Sequence, residues 1–188
     1  MKILVSDKLS QKGLEVLEEA GENGLEFDVK TGMSPEELVT AIPQYEGLII
    51  RSSTRVTAEV IDAAVNLKII GRAGIGVDNV DVEAASKSGI IVMNTPDSNA
   101  TTTAEHAVAM MMALSRNIPQ ATASVKSGKW EKSLFTGVEL MGKALGVVGL
   151  GRIGSLVVKQ AQGLEMNVIA FDPYISREAA EKAGVELM

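Results

Sequence analysis

Gly149, Gly151 and Gly154 stand in the run Gly149-Leu150-Gly151-Arg152-Ile153-Gly154, and Asp172 follows the last of them by 18 residues. These types at this spacing suit a dinucleotide. Gly149 permits a tight strand-to-helix turn, Gly151 lets the backbone approach a pyrophosphate closely, and Gly154 lets a helix pack against the preceding strand. The helix start supplies orphan N–H groups and the positive end of a dipole. A carboxylate at the position of Asp172 accepts hydrogen bonds from a ribose 2′-hydroxyl and repels a 2′-phosphate, which favours NAD over NADP. A bare G-x-G-x-x-G is equally a glycine-rich turn with no ligand. Here the apolar run 144–148 precedes it, a helical pattern over 153–164 follows, and the apolar run 167–171 ends at the acid. That strand–loop–helix–strand context predicts a phosphate-binding loop.

Such a loop needs a parallel sheet beneath it, and the chain is patterned for one throughout. Short apolar runs at 3–5, 48–50, 67–70 and 90–92 predict strands buried on both faces. Residues 25–29 alternate instead, which predicts an edge strand with one wet face. Helix starts lie between them at Ser10, at Ser34-Pro35-Glu36-Glu37, at Thr57 and at Asp81. Strands alternating with helices imply a parallel, right-handed β-α-β sheet. Residues 94–103 form a polar break that reads as a linker or hinge. Residues 104–115 are apolar almost all round, so a helix there is expected to be buried on most sides or to lie at a subunit interface. A second helix is expected near 119–126.

Composition narrows the class. With 46% hydrophobic and 22% charged residues, the 188-residue chain can bury a core and is not disordered. Its 18 basic and 24 acidic residues give a net charge of −6, which argues against nucleic acid as a partner. No apolar run approaches the roughly 18 residues of a membrane span. Without cysteine there is no disulfide framework, thiol nucleophile or Cys-ligated zinc. No metal site is expected, and a cytoplasmic location fits.

Four segments, in order, resemble the D-2-hydroxyacid dehydrogenase family. They are Arg51-Ser52-Ser53-Thr54-Arg55-Val56-Thr57; Gly71-Arg72-Ala73-Gly74-Ile75-Gly76-Val77-Asp78-Asn79-Val80; Val92-Met93-Asn94-Thr95-Pro96 through Asn99 and Ala104-Glu105; and Gly128-Lys129-Trp130 through Gly137-Val138-Glu139-Leu140 into the glycine loop. The resemblance covers the whole chain, which looks like the N-terminal portion of such an enzyme. The first and last segments favour members that oxidise 3-phosphoglycerate over formate, lactate or glyoxylate relatives.

The resemblance implies roles. Arg51 and Ser52 match a pair that contacts the acid substrate. A guanidinium suits a carboxylate or phosphate because it offers a planar fork of donors, although an arginine after a buried strand also serves as a surface salt bridge. Gly74, Ile75 and Gly76 match a loop whose N–H groups hold the substrate carboxylate, and otherwise form a flexible turn. Asn99 matches a hinge residue near the substrate, or is a turn residue or helix cap. Arg152 and Ile153 match positions beside the cofactor pyrophosphate. His106, the only histidine, does not match the family's acid–base position and is read as a packed or interface residue. The family's catalytic Arg, Glu and His are expected beyond Met188, so none is assigned here.

The expected fold is therefore α/β in two parts. Residues 1–93 form a flavodoxin-like parallel-sheet substrate domain. Residues 94–188 form the first β-α-β part of a Rossmann dinucleotide-binding domain, a two-stranded piece that leans on the 104–115 helix and on a second copy of the chain. The expected reaction is NAD-linked oxidation of 3-phospho-D-glycerate to 3-phosphohydroxypyruvate, toward serine, by a homodimer or higher homo-oligomer. This chain alone is expected to be inactive. The alternatives are another family member, such as a glyoxylate or hydroxypyruvate reductase, or a non-catalytic NAD-binding assembly fragment.

Overall fold

A computed structural model describes residues 1–188, which form two compact units, 1–98 and 99–188. The first unit alternates β1 (Lys2–Val5), α1 (Gln11–Gly21), β2 (Glu26–Val29), α2 (Pro35–Ala41), β3 (Gly47–Ile50), α3 (Ala58–Ala63), β4 (Ile69–Arg72), α4 (Val82–Lys87) and β5 (Ile91–Asn94). Its five strands are all parallel, in the order β2-β1-β3-β4-β5. This is the flavodoxin-like, doubly wound order, with its reversal between β1 and β3. The strand predicted to have a wet face, β2, lies at one edge.

Local chemistry starts the helices where they are needed. Ser34 forms a full capping box with Glu37, ahead of Pro35 in the first turn. Ser10 caps α1 through the Gly13 N–H, and Asp81 caps α4 through the Ala84 N–H. Leu4, Leu48, Ile50 and Ile70 are fully buried at the centre, with Tyr45, Ile42 and Val60 packed around them. β4 lies two residues later than its apolar run, because Gly71 and Arg72 continue the ladder opposite Ile49 and Ile50. The functional consequence is positional. Arg72 pairs with Ile50, so Arg51 leaves the sheet beside it.

The second unit contains α5 (Ala100–Ser115), α6 (Ile118–Lys126), β6 (Ala144–Val148), α7 (Arg152–Gly163), β7 (Asn167–Phe171), α8 (Arg177–Lys182) and β8 (Glu186–Leu187). Its sheet is parallel, in the order β6-β7-β8. Leu150, Val158, Ala161, Met166 and Val168 form its core, joined by Met111 of α5 and Leu145 and Val147 of β6.

Two expectations are corrected, and of the two alternatives for the 104–115 helix, burial within the chain is corrected as well. The sheet has three strands, not two, because α8 returns the chain to pair Glu186 and Leu187 with β7. The helix after the polar break begins at Ala100, and Thr101 to Thr103 belong to its first turn, where the Asn99 carbonyl accepts from the Thr103 N–H at 2.9 Å. That helix packs along α7, yet only Ala100 and Ala104 are buried. Met110 and Leu114 remain 59% and 77% exposed, because one neighbouring helix covers only one stripe. No helix is long and apolar enough to cross a membrane.

Candidate functional site

In the second unit the glycine loop joins β6 to α7. Gly149 turns with φ +94°, a conformation that costs a side-chain-bearing residue but not glycine. Its N–H donates to the Phe171 carbonyl at 2.8 Å, tying the turn to the end of β7. Gly151 is the N-cap of α7, and a Cβ built on it meets no atom within 4 Å. A Cβ on Gly154 would collide with the Gly149 carbonyl, so this glycine sets the close approach of helix to turn. The two glycines do different things: Gly154 serves packing, whereas Gly151 leaves open space at a helix N-terminus. Arg152 is exposed and Ile153 half-buried in the first turn of that helix.

Asp172 ends β7 and reaches back to the loop. Its Oδ2 accepts from the Leu150 N–H at 2.7 Å, and its Oδ1 accepts from the N–H groups of Tyr174 at 2.8 Å and Ile175 at 3.2 Å. The Leu150 bond first, then the Tyr174 bond, holds its carboxyl below the usual carboxylate range. The carboxylate is thus ionised at neutral pH and fixed against the glycine turn. This arrangement fits a dinucleotide. A helix start offers N–H groups to a pyrophosphate, open space lies where a side chain would obstruct it, and an anionic acceptor suits a ribose diol.

The first unit gathers Arg51, Ser52, Gly74, Ile75 and Gly76 at the C-terminal ends of β3 and β4. In open α/β sheets, ligands bind at this end of the strands. Arg51 and Ser52 are exposed, and the Arg51 Nη1 donates to the Lys8 carbonyl, just past β1, at 3.3 Å. The Gly74 N–H donates to the Arg72 carbonyl at 2.9 Å, which leaves the N–H groups of Ile75 and Gly76 as donors for an anion. Asn94 Nδ2 donates to the Ile75 carbonyl at 2.6 Å, and the Thr95 N–H donates to the Gly74 carbonyl at 2.9 Å, so the loop is moored to the end of β5. Asn99 opens α5, the first element of the second unit.

Three residues here escape a reading by motif. Arg72 lies against Gly74 so closely that any side chain there would strike its guanidinium, and its buried Nε has no hydrogen-bond partner. Asp7 is 6% exposed and accepts from the Arg51 N–H at 2.6 Å and the Thr54 N–H at 3.1 Å. Asn79 Nδ2 donates to the carbonyls of the same two residues, at 2.7 Å and 2.6 Å. The available signal was position: Asp7 and Arg72 both stand at C-terminal strand ends. His106 is exposed on α5, so a packed role within the chain is overturned. No three His, Asp or Glu side chains gather in a way that could hold a metal ion.

Known proteins resemble the chain in sequence and in fold. The family described as D-isomer specific 2-hydroxyacid dehydrogenase, catalytic domain, matches residues 3–188. The chain is 55% identical to the D-3-phosphoglycerate dehydrogenase of Archaeoglobus fulgidus over all 188 residues, which span 35% of that relative. Among solved structures, the TT0316 protein of Thermus thermophilus aligns with the whole chain at a TM-score of 0.85 and 34% identity, over 60% of its own length. The NAD-dependent formate dehydrogenase of Staphylococcus aureus, solved in complex with NAD, aligns with the whole chain at 0.84 and 27% identity, again over 60% of its length. The chain therefore spans about a third of the curated relative it matches. With both parallel sheets and the glycine loop inside the match, the chain belongs to the D-isomer specific 2-hydroxyacid dehydrogenase family.

Proposed function

We propose that residues 1–188 supply the substrate-anchoring and dinucleotide-anchoring portions of an NAD-dependent dehydrogenase that oxidises 3-phospho-D-glycerate to 3-phosphohydroxypyruvate. The observation that carries this reading is the 55% identity, along the entire chain, to a protein named D-3-phosphoglycerate dehydrogenase. When bound, NAD accepts the hydride leaving C2 of the hydroxy acid. The chain's own residues bind and orient. The Arg51 fork holds a carboxylate or phosphate oxygen pair, with Ser52 beside it, and the guanidinium of Arg72 adds positive charge at the neighbouring strand end. The N–H groups of Ile75 and Gly76, with the loop opened by Gly74, form a small nest for the substrate carboxylate. Asn99, the N-cap of α5, keeps only the substrate-contacting hinge role that the family resemblance gives it. Gly149 and Gly151, with the backbone of Arg152 and Ile153, receive the pyrophosphate at the start of α7, Gly154 serves the cofactor site by holding that helix close to the turn, and Asp172 receives the ribose.

Hydride transfer to or from a carbonyl also needs a group that moves the hydroxyl proton. The single histidine, His106, is exposed on α5 with no contact to a carboxylate in the structure. We expect residues 1–188 alone to bind without turnover.

Calorimetric titration of the purified chain with NAD and with NADP tests the cofactor half. NAD is expected to bind and NADP to bind at least about tenfold more weakly, since a 2′-phosphate meets the Asp172 carboxylate. No heat at millimolar NAD would refute the cofactor half. The substrate class is tested by titrating 3-phospho-D-glycerate against unphosphorylated D-glycerate. Equal affinity would favour a glyoxylate- or hydroxypyruvate-type relative.

A further inference from the structure

The loop that carries Arg51 and Ser52 is held at its two ends by one side chain on each of its polar faces. Asp7 Oδ2 accepts both the Arg51 and the Thr54 N–H, and Asn79 Nδ2 donates to both the Arg51 and the Thr54 carbonyl. Thus the same two residues have donors satisfied by a single oxygen and acceptors satisfied by a single nitrogen. Ser6 Oγ and Thr54 Oγ1 add a hydroxyl bond at 2.9 Å. The segment bearing Asn79 is itself fixed, because the Val56 N–H donates to the Asn79 carbonyl at 2.8 Å and Val56 bridges Val80 in parallel.

A carboxylate at 6% exposure is costly unless its oxygens are hydrogen-bonded. Asp7 spends its bonds on this one turn and enters no ion pair. We propose that Asp7 and Asn79 are positioning residues: they lock the backbone of residues 51–54 so that Arg51 and Ser52 meet an acid substrate pre-ordered. The proposal rests on the reading of Arg51 as an anion ligand. Its physical basis is that a long, flexible arginine binds more tightly when less of its order must be imposed on binding. Charge on Asp7 is not required. An amide oxygen at the same place accepts the same two N–H bonds, so Asp7→Asn should substitute for it.

The test uses the 15N-labelled chain and its Asp7→Asn, Asp7→Ala, Asn79→Ala and Arg51→Ala variants. Each is titrated with 3-phospho-D-glycerate by NMR, and amide exchange at residues 51 and 54 is measured without ligand. Asp7→Ala and Asn79→Ala are expected to weaken binding about tenfold, while Asp7→Asn stays within about twofold of the parent. Exchange at residues 51 and 54 should be at least about tenfold faster in Asp7→Ala and unchanged in Asp7→Asn, with the β3 core still protected in both. Parent-like binding by both alanine variants, or failure of Asp7→Asn to restore binding, overturns the proposal. Equal exchange at these amides in the parent and Asp7→Ala overturns it as well. If Asp7→Ala does not fold, Asn79→Ala, at a half-buried position, carries the same comparison. If the parent chain does not bind the acid, or Arg51→Ala binds as well as the parent, the anion reading of Arg51 fails and the positioning role falls with it. The exchange rates then still report whether the clamp itself exists.

Discussion

Asp172 is asked to face two partners at once. Its oxygens accept three backbone N–H bonds, yet a carboxylate has about four lone-pair sites, so acceptor capacity remains for a ribose hydroxyl. The backbone bonds, that of Leu150 foremost, lower its pKa. A lowered folded-state pKa stabilises the fold above the unfolded value of about 3.9, and this stabilisation is lost as pH falls through the folded value. The Leu150 amide should therefore titrate with a midpoint below about 3.9 when followed by NMR; a midpoint at or above that value contradicts the arrangement. Asp172→Ala removes both the staple to Leu150 and the ribose acceptor. It should weaken NAD by about tenfold or more and narrow the gap to NADP, measured by calorimetry. Arg51 invites a parallel substitution. Arg51→Lys keeps the charge but loses the fork, so it should recover only part of the 3-phospho-D-glycerate affinity lost in Arg51→Ala.

At the scale of elements, the glycine loop separates packing from binding. Gly154→Ala drives a Cβ into the Gly149 carbonyl, so α7 must shift from the turn; a loss of about 1–3 kcal/mol is expected in thermal or urea unfolding. Gly151→Ala meets no atom and keeps an ordinary φ of −66°, so it should cost no more than about 1 kcal/mol, the amount by which alanine is a poorer N-cap than glycine, while NAD binding weakens. Equal stability losses in the two variants would refute this division. The loop was legible in the sequence because its signal is local: glycines at fixed spacing, flanked by apolar runs. The strands of the first sheet were legible for the same reason, and β2 revealed its edge position by alternation. β8 was not, since Glu186-Leu187 carries no apolar run and pairs only because α8 returns it to β7. The start of α5 was hidden by three polar, β-branched threonines that composition assigns to a hinge. Asp7 and Asn79 were hidden for a different reason: they act on residues 44, 47, 28 and 25 positions away, and no short-range pattern reports that.

At the scale of the molecule, the second unit displays more apolar surface than one chain covers. Met110, Leu114, Ile118, Val125, Trp130 and Leu134 are each about half exposed or more, with Trp130 at 82%. Contiguous apolar surface on a soluble chain marks an interaction site, whereas single exposed residues do not. These residues lie on α5, on α6 and in the stretch between α6 and β6, and among them Val125 and Trp130 line one groove with Ala121 and Phe135. A second copy of the chain is the occupant we favour, since α5 is patterned for burial on more sides than α7 provides. Sedimentation velocity should then show a concentration-dependent dimer. Trp130 has the size and type of a binding hot spot, so Trp130→Ala should raise the dimer Kd roughly 30-fold, the effect of a residue worth about 2 kcal/mol. Leu114→Glu should act in the same direction by placing a charge in an apolar contact. Both variants should leave the Leu150 amide shift unchanged, because neither residue touches the glycine loop. A chain that stays monomeric at hundreds of micromolar, or a Trp130→Ala variant that associates as tightly as its parent, would show that the exposed α5 and α6 faces do not serve self-association.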